Sequence, residues 1–92
     1  MDEERFLKLP ENVRLGNIAA EVSRVCISLE SGHAARTAGA VSRALELIRC
    51  ALSAASATER EFLKEGESLL TGSQIVPSDV EAFEQKILSR RM

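Results

Sequence analysis

The chain has 92 residues, a formal net charge of −2 and three aromatic residues, all phenylalanine. That balance lacks the basic excess that nucleic acid or an anionic membrane surface demands, and no apolar run approaches the ~18 residues of a membrane span. The acidic start, Met1-Asp2-Glu3-Glu4-Arg5, has neither the basic region nor the apolar run of a signal peptide, so the expected location is the cytoplasm.

Residues 1–10 read as a polar lead whose Phe6, Leu7 and Leu9 form a short turn or clip onto the helix that follows. Leu9-Pro10 marks a boundary, because the residue before proline is pushed out of helical geometry while proline suits a helix's first turn. A first long helix is expected from about Glu11 to Leu29 or Glu30. Its Leu15, Ile18, Val22, Val25 and Leu29 step alternately by three and four, which places them in one stripe. Ser31-Gly32 ends it, glycine being the residue that accepts the left-handed conformation at a helix end.

A second helix is expected from 33–35 to at least Ala55, with its own stripe of Ala38, Val41, Leu45, Ile48, Leu52 and Ala55. Folded back at Gly32, the stripes pair Leu29 with Ala38, Val25 with Val41, Val22 with Leu45, Ile18 with Ile48 and Leu15 with Leu52. The result is an antiparallel hairpin over 11–55. A break is expected near 56–58, since an unbroken helix of about 37 residues far exceeds the usual length. Thr58 with Glu61 supplies a capping box for a third helix over 58–71. Within it, Glu59 and Gly66 fall in phase with the apolar stripe and are poor core residues. Thr71-Gly72 closes that helix, 73–77 is a loop, and Pro77-Ser78 with Glu81 opens a fourth helix over 78–91. Val80, Phe83, Ile87 and Leu88 give this last helix an apolar face, and Lys86, Arg90 and Arg91 suit its C-terminal end. The expected fold is all-α, a small helical bundle in a single domain, made of a long antiparallel hairpin followed by two shorter helices.

The second helix carries more apolar surface than one neighbour needs. Ala40, Ala44, Leu47, Ala51 and Ala54 fall beside its stripe and widen the apolar arc to about half the circumference. These five residues form the candidate interface, with a second copy of the chain (a homodimer) or another helical protein as the expected partner. On the first helix, Val13, Ala20 and Ile27 recur every seven residues away from the main stripe and suggest a further apolar surface.

Candidate chemistry is sparse. In the hairpin register Cys26 and Cys50 stand roughly 16 Å apart along the axis, beyond disulfide reach. Cys26 borders the stripe as a small core residue. Cys50 points away from it, as an interface residue or a mildly exposed thiol. His33, the lone histidine, sits at the turn, and Glu30-Ser31-Gly32-His33 is a single Glu-x-x-His interrupted by glycine, whereas di-iron bundles need two such pairs on regular helix. The close Arg–His spacing of helical toxin ribonucleases is absent, since the turn separates Arg24 from His33. Arg14, Arg24, Arg36, Arg43 and Arg49 invite a phosphate reading, but Glu21, Glu30 and Glu46 dilute them and no aromatic is available for stacking. No catalytic, cofactor-binding or metal-binding residue is assigned. The expected function is a non-catalytic oligomerisation or protein-interaction module. One alternative is a small enzyme or nucleotide-handling accessory protein using Arg24, His33 and Arg36 at the turn. A second is a nucleic-acid-binding regulator using the hairpin arginines.

Overall fold

The computed structural model describes residues 2–72 and 74–91. Among them run five helices, α1 (Glu3–Lys8), α2 (Glu11–Ser31), α3 (Ala34–Leu52), α4 (Ala57–Thr71) and α5 (Pro77–Arg91), and no strand. The fold is all-α, as the sequence predicts. The predicted first helix is α2, preceded by a short helix where a polar lead was expected.

That short helix forms because Asp2 caps it: its carboxylate accepts from the Arg5 amide at 3.2 Å. Six residues are too few to hold a helix alone. Tertiary contacts do the rest, with Phe6 buried and the Arg14 guanidinium donating to the Leu7 carbonyl at 3.2 Å. Pro10 then stands at the N-cap of α2 and leaves its first turn open.

Gly32 ends α2 in the left-handed conformation (φ 72°), and the His33 amide returns to the Ser28 carbonyl at 3.3 Å. This is the glycine-terminated closure of a helix end. The hairpin folds back antiparallel at Gly32, consistent with the predicted direction. Thr37 Oγ1 donates to Ser28 Oγ at 2.9 Å, and Arg43 Nε reaches Glu21 Oε2 at 3.1 Å.

The rotation of α3 differs from expectation. Of the stripe meant to face α2, only Ile48 is fully buried; Val41, Leu45, Leu52 and Ala55 are half-buried and Ala38 is exposed. The deepest row is instead Ala40, Ala44, Ile48 and Ala51. Small side chains let two helix backbones approach closely, so the alanines lie under the branched row Ile18, Val22 and Val25 of α2, all at 0% exposure. The bulkier stripe turns towards α4 and Ile75. Arg49, on that side, pairs with Glu67 of α4 at 2.9 Å.

The predicted break after α3 is present, slightly early. The chain leaves the helix at Leu52, and Ser53 Oγ donates to the Cys50 carbonyl at 2.6 Å, a local bond that competes with continued helix. The cap of α4 is Ser56 with Glu59, not Thr58 with Glu61: Ser56 Oγ accepts from the Glu59 amide at 3.3 Å and contacts its carboxylate. Arg60 Nη2 reaches back to the Leu52 carbonyl at 3.3 Å and satisfies the exposed end of α3. At the last helix, α5 opens with Pro77 in its first position, so Ser78 lies inside the first turn and is not its cap. Ser73, in the predicted loop, lies outside the described residues.

Each long helix touches two others. α2 packs against α3 and α5, α4 packs against α3 and closes on α5, and α1 lies on α3. One core serves all of them. Gly66, expected to be a poor core residue, is buried because the Phe83 ring occupies the place of its missing side chain. That ring stacks on Phe62 with centroids 5.1 Å apart, and Arg90 lies over the Phe62 ring at 4.8 Å.

Candidate functional site

Two helices packed through alanines leave a groove on their outer side, and here that groove has two halves. The lower half is also open and is bordered by helix α1, whose Phe6 and Leu9 line it together with Asn17, Ala20, Arg24 and Leu47. The upper half, beside the hairpin turn, is an open cleft of about 320 Å³. α2 contributes Arg24, Ile27, Ser28 and Ser31 to it, and α3 contributes Ala35, Arg36, Gly39, Ala40 and Arg43. The cleft exists because α3 presents only Ala35, Gly39 and Ala40 as its floor. At its mouth Ile27 is 62% exposed, the most exposed large apolar residue described. The seven-residue row Val13, Ala20 and Ile27 is thus an exposed strip that α1 covers only in part.

The polar groups of the cleft divide into two kinds. Its hydroxyls are satisfied internally: Ser28 Oγ donates to the Val25 carbonyl at 2.9 Å and Ser31 Oγ to the Ile27 carbonyl at 3.0 Å. They present hydrocarbon to a ligand. Its cations point the other way. Glu21, whose side chain is only 14% exposed, holds Arg24 at 2.6 Å with one oxygen and Arg43 at 3.1 Å with the other. Arg36 makes no ion pair among the described residues. Three guanidiniums against one carboxylate leave a positive rim around an apolar floor. The hairpin's other two arginines are employed elsewhere, Arg14 on α1 and Arg49 on α4.

The residues singled out by sequence are partly brought together. Arg24 and Arg36 meet across the cleft, but His33 lies outside it, exposed at the start of α3 with no side-chain capping bond. Ala40, Ala44 and Ala51 of the candidate interface are covered by the chain itself (1, 0 and 7% exposed), so no second molecule reaches them in this fold. Leu47 is half-buried at the foot of α1, and Ala54 is exposed in the turn after α3. The alanine row is internal because close approach to α2 needs it there. The sequence reading missed Ser28, Ser31, Ala35 and Gly39 as cleft residues. A glycine in mid-helix, which costs about 1 kcal/mol against alanine, was the available signal.

No known family, curated protein or solved structure matches the chain.

The remaining chemistry is quiet. Both cysteines are free. Burial raises the Cys26 thiol above its ordinary value, helped by Glu84, Glu81 and Glu30. Burial does the same to Cys50, followed by Glu3 and Glu46. Cys50 is thus not the exposed thiol that was weighed, because α1 covers it and its Sγ lies 3.9 Å from the Glu3 carbonyl. Thiols held protonated are poor nucleophiles and poor metal ligands. Among the described residues no group of three potential ligands could hold a metal ion, every buried side-chain polar atom has a partner, and no helix is long and apolar enough to cross a membrane.

Proposed function

We propose that the protein is a small, non-catalytic interaction module that receives a segment of another protein in the cleft between α2 and α3. The observation that carries this reading is Ile27, 62% exposed at the mouth of an unfilled apolar cleft whose continuation along the hairpin is bordered by α1. A lone exposed isoleucine is ordinary. One at the mouth of an open cleft with an alanine and glycine floor is a place where further apolar surface can be buried, at about 25 cal/mol per Å². The rim arginines then fix partner and orientation. The hydroxyls donate to backbone carbonyls and Glu21 is held by two guanidiniums, an arrangement that favours binding over catalysis.

The partner in this reading is another helical protein, since the alanine row that would join two copies is inside the bundle. Two free cysteines, neither bridged, suit the reducing conditions of the cytoplasm. A nucleotide or other anion held by Arg24 and Arg36 is a second reading, drawn from the convergence of arginines. It is the weaker one, because His33 stands aside and no aromatic ring borders the cleft for a base to stack on.

The test is a titration of isotope-labelled protein with an uncharged amphipathic helical peptide, followed by amide chemical shifts. Shifts should concentrate on residues 24–43 and vanish in Ala35→Trp, which fills the cleft from an exposed position. Shifts spread elsewhere, or unaffected by Ala35→Trp, would remove the cleft from consideration.

A further inference from the structure

Resting on the docking reading, we infer that the cleft's partner is an acidic amphipathic helix with a large apolar anchor. Two independent observations lead there. The first is what already borders the groove. Helix α1, which carries Glu3 and Glu4 beside Arg5 and Lys8, buries Phe6 at the edge of the lower half, so a short amphipathic helix with an aromatic anchor already borders the groove. Arg24 borders both halves, and the Glu21–Arg43 ion pair from α2 to α3 marks the boundary between them. A helix laid in the upper half would meet a similarly apolar surface, with Ile27, Ala35 and Gly39 available to a bulky side chain.

The second observation is charge. The rim holds Arg24, Arg36 and Arg43 against the single carboxylate of Glu21. In the lower half the same Glu21 lies near Arg5 of α1, so acid and base are more evenly matched there. The upper half keeps unspent positive charge, and Arg36 is entirely without an ionic partner among the described residues. A basic helix would place like charges together. A neutral one would leave the guanidiniums without return for their partial desolvation. An acidic helix supplies forked acceptors that arginine binds well. From Arg24 to Ser31 the cleft spans about 10 Å at 1.5 Å per residue, matching two turns of a partner helix, enough for anchors one turn apart.

The test uses three designed helical peptides of three turns with identical leucine and phenylalanine anchors, in which the remaining positions carry glutamate, glutamine or lysine. Affinities are read by fluorescence anisotropy at low and high salt. The glutamate peptide should bind at least about tenfold tighter than the lysine peptide and lose that advantage at high salt. The Arg36→Glu/Arg43→Glu double variant should reverse the preference and bind the lysine peptide. Both arginines are solvent-exposed, and a matching melting curve establishes that the variant is folded. Equal binding of all three peptides in the cleft would overturn the acidic partner and leave the docking reading standing. Binding of none would overturn both. Displacement of the glutamate peptide by inorganic phosphate at matched ionic strength would also overturn it, since the rim would then be reading a small anion and not a helix.

Discussion

Replacing Gly66 with alanine sets two opposed effects against each other, and the packing around Phe83 decides between them. In an isolated helix the change is favourable by about 0.8–1.0 kcal/mol, because glycine loses the most backbone entropy on folding. In this bundle an added Cβ overlaps the Phe83 ring, falling 2.9 Å from even the third-nearest ring carbon. The ring cannot easily withdraw, since it is only 2% exposed and stacked on Phe62. Forcing a methyl into a packed core costs about 1–3 kcal/mol, and spoiling the aromatic pair a further ~0.5–1.5 kcal/mol. The net is a loss of about 2 kcal/mol, which for a domain of this size lowers Tm by roughly 8–16 °C. Thermal and urea unfolding followed by far-ultraviolet circular dichroism measures it. Gly66→Ala combined with Phe83→Leu should cost less than the two single changes added together, because the smaller side chain makes room for the methyl. Gly39→Ala is the contrast: its new Cβ meets only the mobile Arg43 guanidinium at 3.4 Å, so stability should rise by about 0.8–1.0 kcal/mol. A Gly66→Ala protein as stable as the parent, or more so, would mean that Phe83 does not rest on that glycine.

Other substitutions probe the points where sequence and structure part company. Ala44→Glu places a carboxylate at a site with no exposure and should abolish cooperative unfolding; a folded, fully helical variant would return Ala44 to the surface. Ser56→Ala should cost about 1 kcal/mol as the loss of a helix cap, whereas Thr58→Ala should change urea stability by a few tenths at most, and the reverse order would restore the Thr58 box. Burial raises both thiols above their ordinary value of 9.0 in the folded state, so the unfolded chain ionises first as pH climbs. Stability should therefore be intact below pH 9 and fall as pH rises through the folded-state values. The chain has no tyrosine to confuse that limb, and a Cys26→Ala/Cys50→Ala variant that declines just as steeply would show that the thiols are not its cause.

The lengths and order of the long helices were legible because their signals are local. Pro10, Gly32 and Gly72 punctuate the chain, and three-four spacing marks what lies between. The rotation of α3 was not legible. Its two apolar rows, Val41–Leu45–Leu52 and Ala40–Ala44–Ala51, together cover half the helix. Hydrophobicity ranks the first above the second, whereas close packing against Ile18 and Val22 selects the second. Overlapping Ser56-x-x-Glu59 and Thr58-x-x-Glu61 patterns pose the same problem, settled by the Arg60 bond to Leu52 and the burial of Phe62 and Leu63. Six-residue α1 is too short to show a period. The cleft was half visible: its arginines could be named, but their convergence depends on the rotation of α3, which only the whole bundle determines.

Helix α1 also gives the groove a direction. Its C-terminal end is tied down by the Arg14 bond to the Leu7 carbonyl and its middle by Phe6, and its first residues, Asp2 and Arg5, border the pocket that adjoins the Arg24 end of the cleft. At the opposite end, past Ser31, the chain turns away at Gly32 and nothing from α1 follows. A helix seated there is free to grow only past the turn. Under the proposed docking, a partner helix would meet α1 at one end and only solvent past the hairpin tip at the other.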